Sequence, residues 1–165
     1  MTRQFSFRLI SLLARYTNLG IIIFSVSILS ACQPRDVRPG MWLRGEVLTQ
    51  RVDDWSFASD VEEIHIETHP WYGIPHSTTI WCGVFRGDLY VGSYGTDKKV
   101  WEKNVARDPQ VRLGILGKLY NLVIKPVTDD VLSAELAVAY SEKYDMAEVF
   151  GNEIPKWRFY RAEQH

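Results

Sequence analysis

The loop at positions 93–99, with the sequence SYGTDKK, contains the residues best suited to bind an anion. Ser93 carries a hydroxyl group, Lys98 and Lys99 carry ammonium groups, and a short helix is predicted to begin beside them. The first N–H groups of a helix have no partner within the helix, and the helix dipole is positive at that end. The sequence therefore predicts an anion site here. The alternative is a solvated helix start.

The histidines and Cys82 give weaker indications of chemistry. His65 and His69 would lie about 13 Å apart on one strand, at roughly 3.3 Å per residue, which is too far for one zinc ion. We therefore expect no metal site, although His76 is a candidate lining residue of a ligand pocket. Cys82 shares a predicted strand face with apolar residues, so we expect a buried, inert thiol.

Several enzyme classes leave characteristic motifs that this sequence lacks. It contains no nucleophile elbow, no Cys-x-x-Cys pair, no Walker A loop and no dinucleotide-binding glycine fingerprint. A flavin-type enzyme remains compatible with the sequence, because there the cofactor supplies the reactive chemistry and the protein positions it.

Positions 1–31 have the composition of a bacterial lipoprotein signal peptide. Three arginines precede an apolar run at positions 19–29, and the sequence LSAC at 29–32 resembles the lipobox. The apolar run is shorter than the roughly 20 residues of a membrane span. The resemblance implies lipidation of Cys32, and Gln33 after it implies an outer-membrane location facing the periplasm. An uncleaved anchor with an incidental cysteine is the alternative.

Removal of this signal would leave an acidic protein. The chain has 19 basic and 20 acidic residues, and the loss of the three signal arginines leaves 16 basic residues and a net charge of −4. A nucleic-acid partner is therefore not expected. Residues 32–46 are predicted to form the lipidated cysteine and a tether, and residues 47–165 one domain. With Cys32 lipidated, no intrachain disulfide is expected.

Alternation of apolar and polar residues predicts six strands, at positions 62–68, 76–85, 88–93, 110–116, 119–128 and 156–162. Tight turns at 86–88 and 117–118 join two pairs of strands. Helices are predicted at 98–107 and from 129 or 130 to about 147. The segment 47–59 is ambiguous and could contain a short helix. The pattern favours a mainly β (α+β) fold, a six-stranded antiparallel barrel with two inserted or flanking helices.

The order of these elements resembles the split-barrel flavin-binding superfamily, which includes pyridoxamine-phosphate-oxidase-like and deazaflavin-dependent nitroreductase-like proteins. The resemblance rests on Leu-Tyr-Val-x-Ser at 89–93, the lysine-containing loop and Asn-Val-Ala-Arg-Asp-Pro at 104–109, and it extends over residues 62–162. It implies a split β-barrel, a homodimer, and FMN or a deazaflavin held between two barrels.

The same resemblance implies a set of cofactor-binding residues on one strand, the following loop and the helix. They are Ser77, Thr78, Thr79, Ser93, Lys98, Lys99 and Trp101. Trp81, Tyr94 and Trp101 could stack on a flavin ring, although core packing is the commoner role of such residues. No catalytic residue is predicted.

Two functions follow as expectations. The first is an envelope lipoprotein with a flavin- or deazaflavin-type barrel that transfers a hydride to a small acceptor. The alternative is a non-catalytic envelope lipoprotein that uses the barrel as a small-ligand or protein-binding module. It is motivated by the segment at 76–79, which lacks the arginine that usually pairs with phosphate in the flavin oxidases. A lipocalin-like carrier would need about eight strands rather than six.

Overall fold

The computed structural model describes residues 40–151 and 156–164, so the predicted signal and Cys32 lie outside the described residues. The strands are β1 (Glu46–Leu48), β2 (Glu63–Thr68), β3 (His76–Phe85), β4 (Asp88–Tyr94), β5 (Gln110–Ile115), β6 (Lys118–Pro126) and β7 (Trp157–Glu163). The helices are α1 (Val100–Arg107), α2 (Asp130–Lys143) and α3 (Met146–Phe150), and a 3₁₀ turn spans Ser56–Ala58.

Six of the strands close into an antiparallel barrel. Their order is β6-β5-β2-β3-β4-β7, and β7 pairs again with β6 to complete the ring. The short strand β1 lies outside the ring and pairs in parallel with β6. The predicted six-stranded antiparallel barrel is therefore confirmed, and β1 is an additional strand that three residues could not reveal in sequence.

The interior of the barrel is an apolar core built by the alternating residues that predicted the strands. Its members include Ile64, Ile66, Ile80, Cys82, Leu89, Val91, Val111, Leu113, Leu122 and Ile124. Cys82 is fully buried, and this burial raises the pKa of its thiol to about 11. The thiol is therefore protonated at neutral pH, as an inert core residue should be.

Both predicted hairpin turns form two-residue loops, although the second lies at Leu116–Gly117, one residue before the predicted positions 117–118. Arg86 and Gly87 have φ angles of 55° and 82°, and Leu116 and Gly117 have φ angles of 49° and 76°. Two successive positive φ angles match the right-handed twist of the flanking strands. These turns fix the register of β3 with β4 and of β5 with β6.

A second layer forms where α2 packs on the outer face of the barrel. The ring of Tyr140 lies directly on Gly83 and Gly92, where an added Cβ atom would lie 2.6 and 2.7 Å from ring atoms. The Tyr140 hydroxyl donates a hydrogen bond to the backbone carbonyl of Tyr90 at 2.9 Å. The two glycines therefore leave room on the strands for one large aromatic ring.

The helix predicted to run to about position 147 is interrupted, so that prediction is wrong in its extent. Asp145 has a left-handed backbone conformation with φ 45° and ψ 60°, and it caps α3 by accepting a hydrogen bond from the N–H of Glu148. A left-handed residue cannot continue an α-helix, and Asp is one of the residues that tolerates this conformation. The domain therefore has three α-helices among its described residues rather than two.

Part of the predicted tether packs on the barrel. Leu43 is buried, its N–H donates a hydrogen bond to the Glu67 carboxylate, and β1 begins at Glu46. Gly40 forms two hydrogen bonds with Ser77, one to its hydroxyl at 2.7 Å. The packed chain therefore begins before position 47, the start that composition suggested for the domain.

Candidate functional site

A cleft of about 440 Å³ opens between the first half of β3, the end of β4 and the start of α1. Its lining combines hydroxyl groups, aromatic rings and two basic side chains. The lining residues are Glu63, His76, Thr78, Thr79, Ile80, Trp81, Gly92, Ser93, Tyr94, Lys99, Val100 and Trp101.

Five of the seven predicted cofactor-binding residues line this cleft, namely Thr78, Thr79, Ser93, Lys99 and Trp101. Ser77 does not line it, because its side chain is buried and its hydroxyl oxygen accepts a hydrogen bond from Gly40. Lys98 is exposed and also lies outside the lining. The structure therefore brings one of the two predicted lysines to the cleft.

Stacked aromatic rings form one wall of the cleft. Trp81 lies between Tyr94, with ring centroids 5.6 Å apart and planes at 29°, and Tyr144, at 4.7 Å and 14°. Trp101 is only 4% exposed and packs edge-on against Tyr160 at 5.1 Å, so it is chiefly a core residue. Trp81 and Tyr94 are the partly exposed aromatic side chains of this wall, and the stacking of Trp81 on two rings leaves chiefly its ring edge for a ligand.

The charged and polar groups of the cleft are few. The Lys99 ammonium lies 5.0 Å from the centroid of the Tyr94 ring, a cation–π distance that keeps the charge at the cleft. Glu63 contributes a carboxylate to the lining. The Nδ1 atom of His76 is buried and has no hydrogen-bond partner among the residues of the described barrel. A buried polar atom without a partner is uncommon and marks a position that a ligand atom could satisfy.

The start of α1 is engaged by a carboxylate of the protein itself. Glu102, in the first turn of α1, is 1% exposed and accepts hydrogen bonds from the Ser93 hydroxyl at 2.8 Å and the Lys99 N–H at 2.7 Å. The groups that the sequence assigned to an external anion are thus partly used by Glu102. The Lys99 side chain is the cationic group of this helix start that lines the cleft.

Arg158 of β7 holds Glu102 and the preceding loop together. Its Nε and Nη2 atoms donate to the two Glu102 oxygens at 2.7 and 3.0 Å, and its remaining donors bind the carbonyls of Gly95 and Asp97. The Tyr160 hydroxyl adds a fifth donor to Glu102 at 2.9 Å. This network fixes the loop that forms one side of the cleft.

The electrostatics of Glu102 follow from these contacts. Burial alone would raise the pKa of this carboxyl, but the hydrogen bonds from Arg158, the Lys99 N–H, Ser93 and Tyr160 outweigh it and lower the pKa to about 2. The carboxylate is therefore charged at any physiological pH. Burial and the bond to Glu102 in turn raise the pKa of the Tyr160 hydroxyl, which stays protonated as a donor.

Sequence reasoning missed both members of this ion pair. Glu102 stands three residues after Lys99, at the spacing of a side chain that caps a helix start, and this was the available signal. Arg158 lies 56 residues further along the chain on a strand that pairs with β4. No local pattern connects the two residues.

Residues 40–151 and 156–164 contain neither a cluster of metal ligands nor a membrane-spanning helix. No group of three or more His, Cys, Asp or Glu side chains is arranged to hold a metal ion. None of the helices in these ranges is long and apolar enough to cross a membrane.

Comparisons with known proteins give structural matches only, because neither a protein-family model nor a curated protein matches this chain. HutZ, the heme storage protein from Vibrio cholerae, matches with a TM-score of 0.50 and 13% identity, over 63% of this chain and 82% of HutZ. A chain described as a domain-swapped dimer matches with a TM-score of 0.51 and 13% identity, over 63% and 81%. The F420-H2 dependent reductase FDR-A matches at 0.49 and 13%, over 62% and 95%.

The extent of the match differs between solved structures. Atu2129 from Agrobacterium tumefaciens str. C58, described as of unknown function, is 18% identical with a TM-score of 0.49 over 61% of this chain. This chain spans about half of Atu2129, since the match covers 47% of that protein. Together, the closed barrel and the matches at TM-scores of 0.50 and 0.51 define this chain as a split β-barrel protein.

Proposed function

We propose that the cleft binds a flavin-type cofactor, FMN or a deazaflavin, with its ring beside the edges of Trp81 and Tyr94 and its phosphate at Lys99. The observation that carries the proposal is convergence. Residues from β3, from β4 and from the start of α1 meet in one cleft. The sequence resemblance to the split-barrel flavin-binding superfamily implies the same cofactor-binding segments, the strand at 76–81 and the loop at 93–99.

The cleft fits this class of ligand in size and chemistry. Its volume of about 440 Å³ falls within the range of roughly 300–1,000 Å³ for small-molecule sites. The aromatic wall suits a flat ring, the Lys99 ammonium suits a phosphate, and Thr78 and the free Nδ1 of His76 offer polar contacts. A bound flavin or deazaflavin would supply hydride transfer to a small acceptor, while these residues bind and orient it.

A comparison of FMN with riboflavin tests this proposal, because the two ligands differ only by the phosphate. The purified mature protein is titrated with each and followed by visible absorbance and flavin fluorescence. We expect micromolar binding of FMN and weaker binding of riboflavin, since a charge-assisted hydrogen bond contributes about 1.5–3 kcal/mol. Absence of micromolar FMN binding would contradict the proposal, and the same titration with a deazaflavin cofactor completes the test.

Catalysis is tested separately once a cofactor binds. The loaded protein is reduced without oxygen and mixed with small electron acceptors, and cofactor reoxidation is followed by absorbance. An oxidoreductase should accelerate reoxidation over free reduced cofactor at the same concentration. Equal rates for free and bound cofactor would argue against the enzyme and leave a binding protein.

The second candidate, a non-catalytic small-ligand or protein-binding module, is favoured by the contacts of Glu102. This carboxylate uses the Ser93 hydroxyl and an N–H of the α1 start, and no arginine lines the cleft within the described chain. A phosphate would therefore meet fewer donors than an arginine-containing site provides. Equal affinities for riboflavin and FMN, with no acceleration of electron transfer, would support this candidate.

We also propose that the protein is an outer-membrane lipoprotein facing the periplasm, lipidated on Cys32, and that two copies associate around the cofactor. The lipobox-like LSAC sequence supports the anchor, and the match to a chain described as a domain-swapped dimer is compatible with self-association. Mass spectrometry of the mature N-terminal peptide tests the anchor, and sedimentation of the detergent-solubilised protein tests the dimer. An unacylated Cys32 or a monomer would contradict the respective proposal.

A further inference from the structure

Five large apolar side chains are exposed at one end of the β2–β3 hairpin. Trp71, Tyr72 and Ile74, in the loop between the strands, are 81%, 51% and 52% exposed, and Met41 and Trp42 are 39% and 46% exposed. We call these five residues the aromatic tip. A monomeric soluble protein rarely concentrates exposed apolar residues in this way, so such a surface usually has a partner.

The two parts of the aromatic tip belong to the same end of the hairpin. Gly40 is hydrogen-bonded to Ser77 on β3, and Leu43 is hydrogen-bonded to Glu67 on β2. Ser77 and Glu67 are paired across the two strands, one residue pair away from the loop. The segment that carries Met41 and Trp42 therefore crosses the hairpin beside the loop that carries the other three residues.

The composition of the aromatic tip is that of a membrane-interface surface. Trp and Tyr concentrate at the boundary between lipid and water, where an apolar ring and one polar group are both satisfied. The exposed Arg107 donates a hydrogen bond to the carbonyl of His69, beside the loop, and the exposed Arg44 follows Leu43. Basic side chains next to aromatic ones favour contact with anionic lipid headgroups.

The position of the tip along the chain identifies the membrane as its occupant. Gly40 follows Cys32 by only eight positions, and an extended chain spans at most about 3.6 Å per residue. If Cys32 carries lipid, Gly40 is tied within about 29 Å of the bilayer, and Met41 and Trp42 follow Gly40 directly. The first two residues of the aromatic tip therefore stay close to the bilayer even when the chain from Cys32 is fully extended.

We propose that the aromatic tip inserts into the interfacial region of the bilayer that holds the lipid anchor and so orients the barrel on the membrane. This inference rests on the proposed lipidation of Cys32. The loop of the tip leads directly into His76, a residue of the cleft lining. Docking would therefore bring the His76 side of the cleft towards the membrane surface.

Tryptophan quenching by brominated lipids tests the insertion. The full mature lipoprotein is reconstituted into phosphatidylethanolamine–phosphatidylglycerol vesicles with brominated acyl chains, which quench only tryptophans close to them. We expect quenching in the native protein and loss of most of it in Trp42→Phe/Trp71→Phe, which removes two of the six tryptophans but keeps the tip apolar. Retained quenching in this variant would overturn the proposal.

A second pair of variants tests insertion while Trp42, one of the quenched tryptophans, is kept. Trp71→Ser/Tyr72→Ser should lose quenching at Trp42 as well, because the tip no longer inserts. The matched control is Phe57→Ser, which removes an exposed ring near the Arg86–Gly87 turn at the other end of β3. The control should quench like the native protein, and circular dichroism should show all variants folded. Equal quenching in the serine double variant and the native protein would contradict insertion.

Two measurements distinguish an error in the proposed insertion from an error in the proposed lipidation of Cys32. The mass of the N-terminal peptide in the same preparation reports whether Cys32 is acylated. An acylated protein without quenching overturns the inference and leaves the anchor intact. If Cys32 is not acylated, membrane binding is measured by flotation of the native protein and of Trp71→Ser/Tyr72→Ser with the same vesicles. Equal flotation of the two proteins would overturn the proposed insertion. If the native protein is a dimer in solution and Trp71→Ser/Tyr72→Ser is a monomer, the aromatic tip is a protein interface and the proposed insertion is wrong.

Discussion

The two ends of the β3–β4 hairpin have different surroundings in the fold. In one half, Gly83 is covered by the ring of Tyr140 from α2, and the same ring lies on Gly92 at the border with the cleft. In the other half, Thr78 on β3 and Tyr94 on β4 border an open cleft. One end of the hairpin is therefore filled by the protein's own aromatic ring, and the other end borders an open cleft.

The covered half of the hairpin therefore contributes mainly to the stability of the fold, and the cleft half mainly to ligand binding. The covered half buries large rings around Tyr140, including Phe159 at 5.0 Å and Trp157 at 5.4 Å, and such burial dominates folding energetics. The cleft half contributes hydroxyl groups and partly exposed aromatic rings, which add little to the free energy of folding while no ligand is bound. Substitutions in the two halves should therefore change different measured quantities.

Loss of the ring that covers the hairpin should have the largest effect on folding. Tyr140→Ala removes a fully buried aromatic side chain and should lower the free energy of unfolding by about 3–5 kcal/mol. Tyr140→Phe keeps the ring and loses only the bond to the Tyr90 carbonyl, so it should cost about 1 kcal/mol. Urea denaturation followed by circular dichroism measures both, and equal losses for the two variants would contradict the packing argument.

The ion pair beneath the cleft loop should come next. Glu102→Gln leaves Arg158 without its carboxylate and weakens the bonds from Ser93 and Lys99, so we expect a loss of about 2–3 kcal/mol. The loop at 93–99 should also exchange its amide protons faster. Arg158 binds the loop carbonyls of Gly95 and Asp97, and it does so only while Glu102 holds its guanidinium in position. Hydrogen exchange measured by mass spectrometry checks this, and unchanged protection of the loop would exclude the ordering role.

Acid should weaken the same pair in a defined window. The ordinary pKa of 4.5 for Glu102 falls to about 2 in the folded protein, so the unfolded state binds the proton first as pH falls. The pair therefore stabilises fully above pH 4.5, and its contribution, on the order of 3 kcal/mol, is lost between pH 4.5 and 2. Thermal unfolding across this range should be steeper in pH for the native protein than for Glu102→Gln; identical slopes would reject the assignment.

In the cleft half, substitution should leave stability nearly unchanged and alter binding. Thr78→Val keeps the side-chain shape and removes a half-exposed hydroxyl, so the free energy of unfolding should change by no more than about 0.5 kcal/mol. The affinity for FMN should fall about five- to tenfold, the value of one hydrogen bond. A large loss of stability with unchanged FMN affinity would place Thr78 in the same class as Tyr140.

The fold could be predicted where its determinants are local. Period-two alternation and the turns predicted at 86–88 and 117–118 located all six barrel strands to within two residues at each end, although the second turn lies one residue earlier, at Leu116–Gly117. β1 has three residues and is specified by its pairing with β6, so no period was visible. The interruption after α2 depends on the left-handed conformation of Asp145, which an apolar stripe does not reveal.

The candidate site was predictable in outline and not in its electrostatics. The two segments that line the cleft were identified from the loop composition and the family resemblance. The use of Ser93 by Glu102 and the arginine from β7 depend on strand pairing across 56 residues. Ser77 was assigned to the ligand, while the structure pairs it with Gly40, because period-two strands do not show which face the incoming chain covers.

The most direct test of the account compares the two neighbouring lysines. Lys99 lines the cleft and Lys98 does not, although both are exposed. FMN and riboflavin are titrated into Lys99→Gln and into its matched control Lys98→Gln. The account predicts that Lys99→Gln weakens FMN binding at least tenfold and leaves riboflavin binding unchanged, while Lys98→Gln changes neither. Equal effects of the two substitutions on FMN affinity would contradict a phosphate site in the cleft.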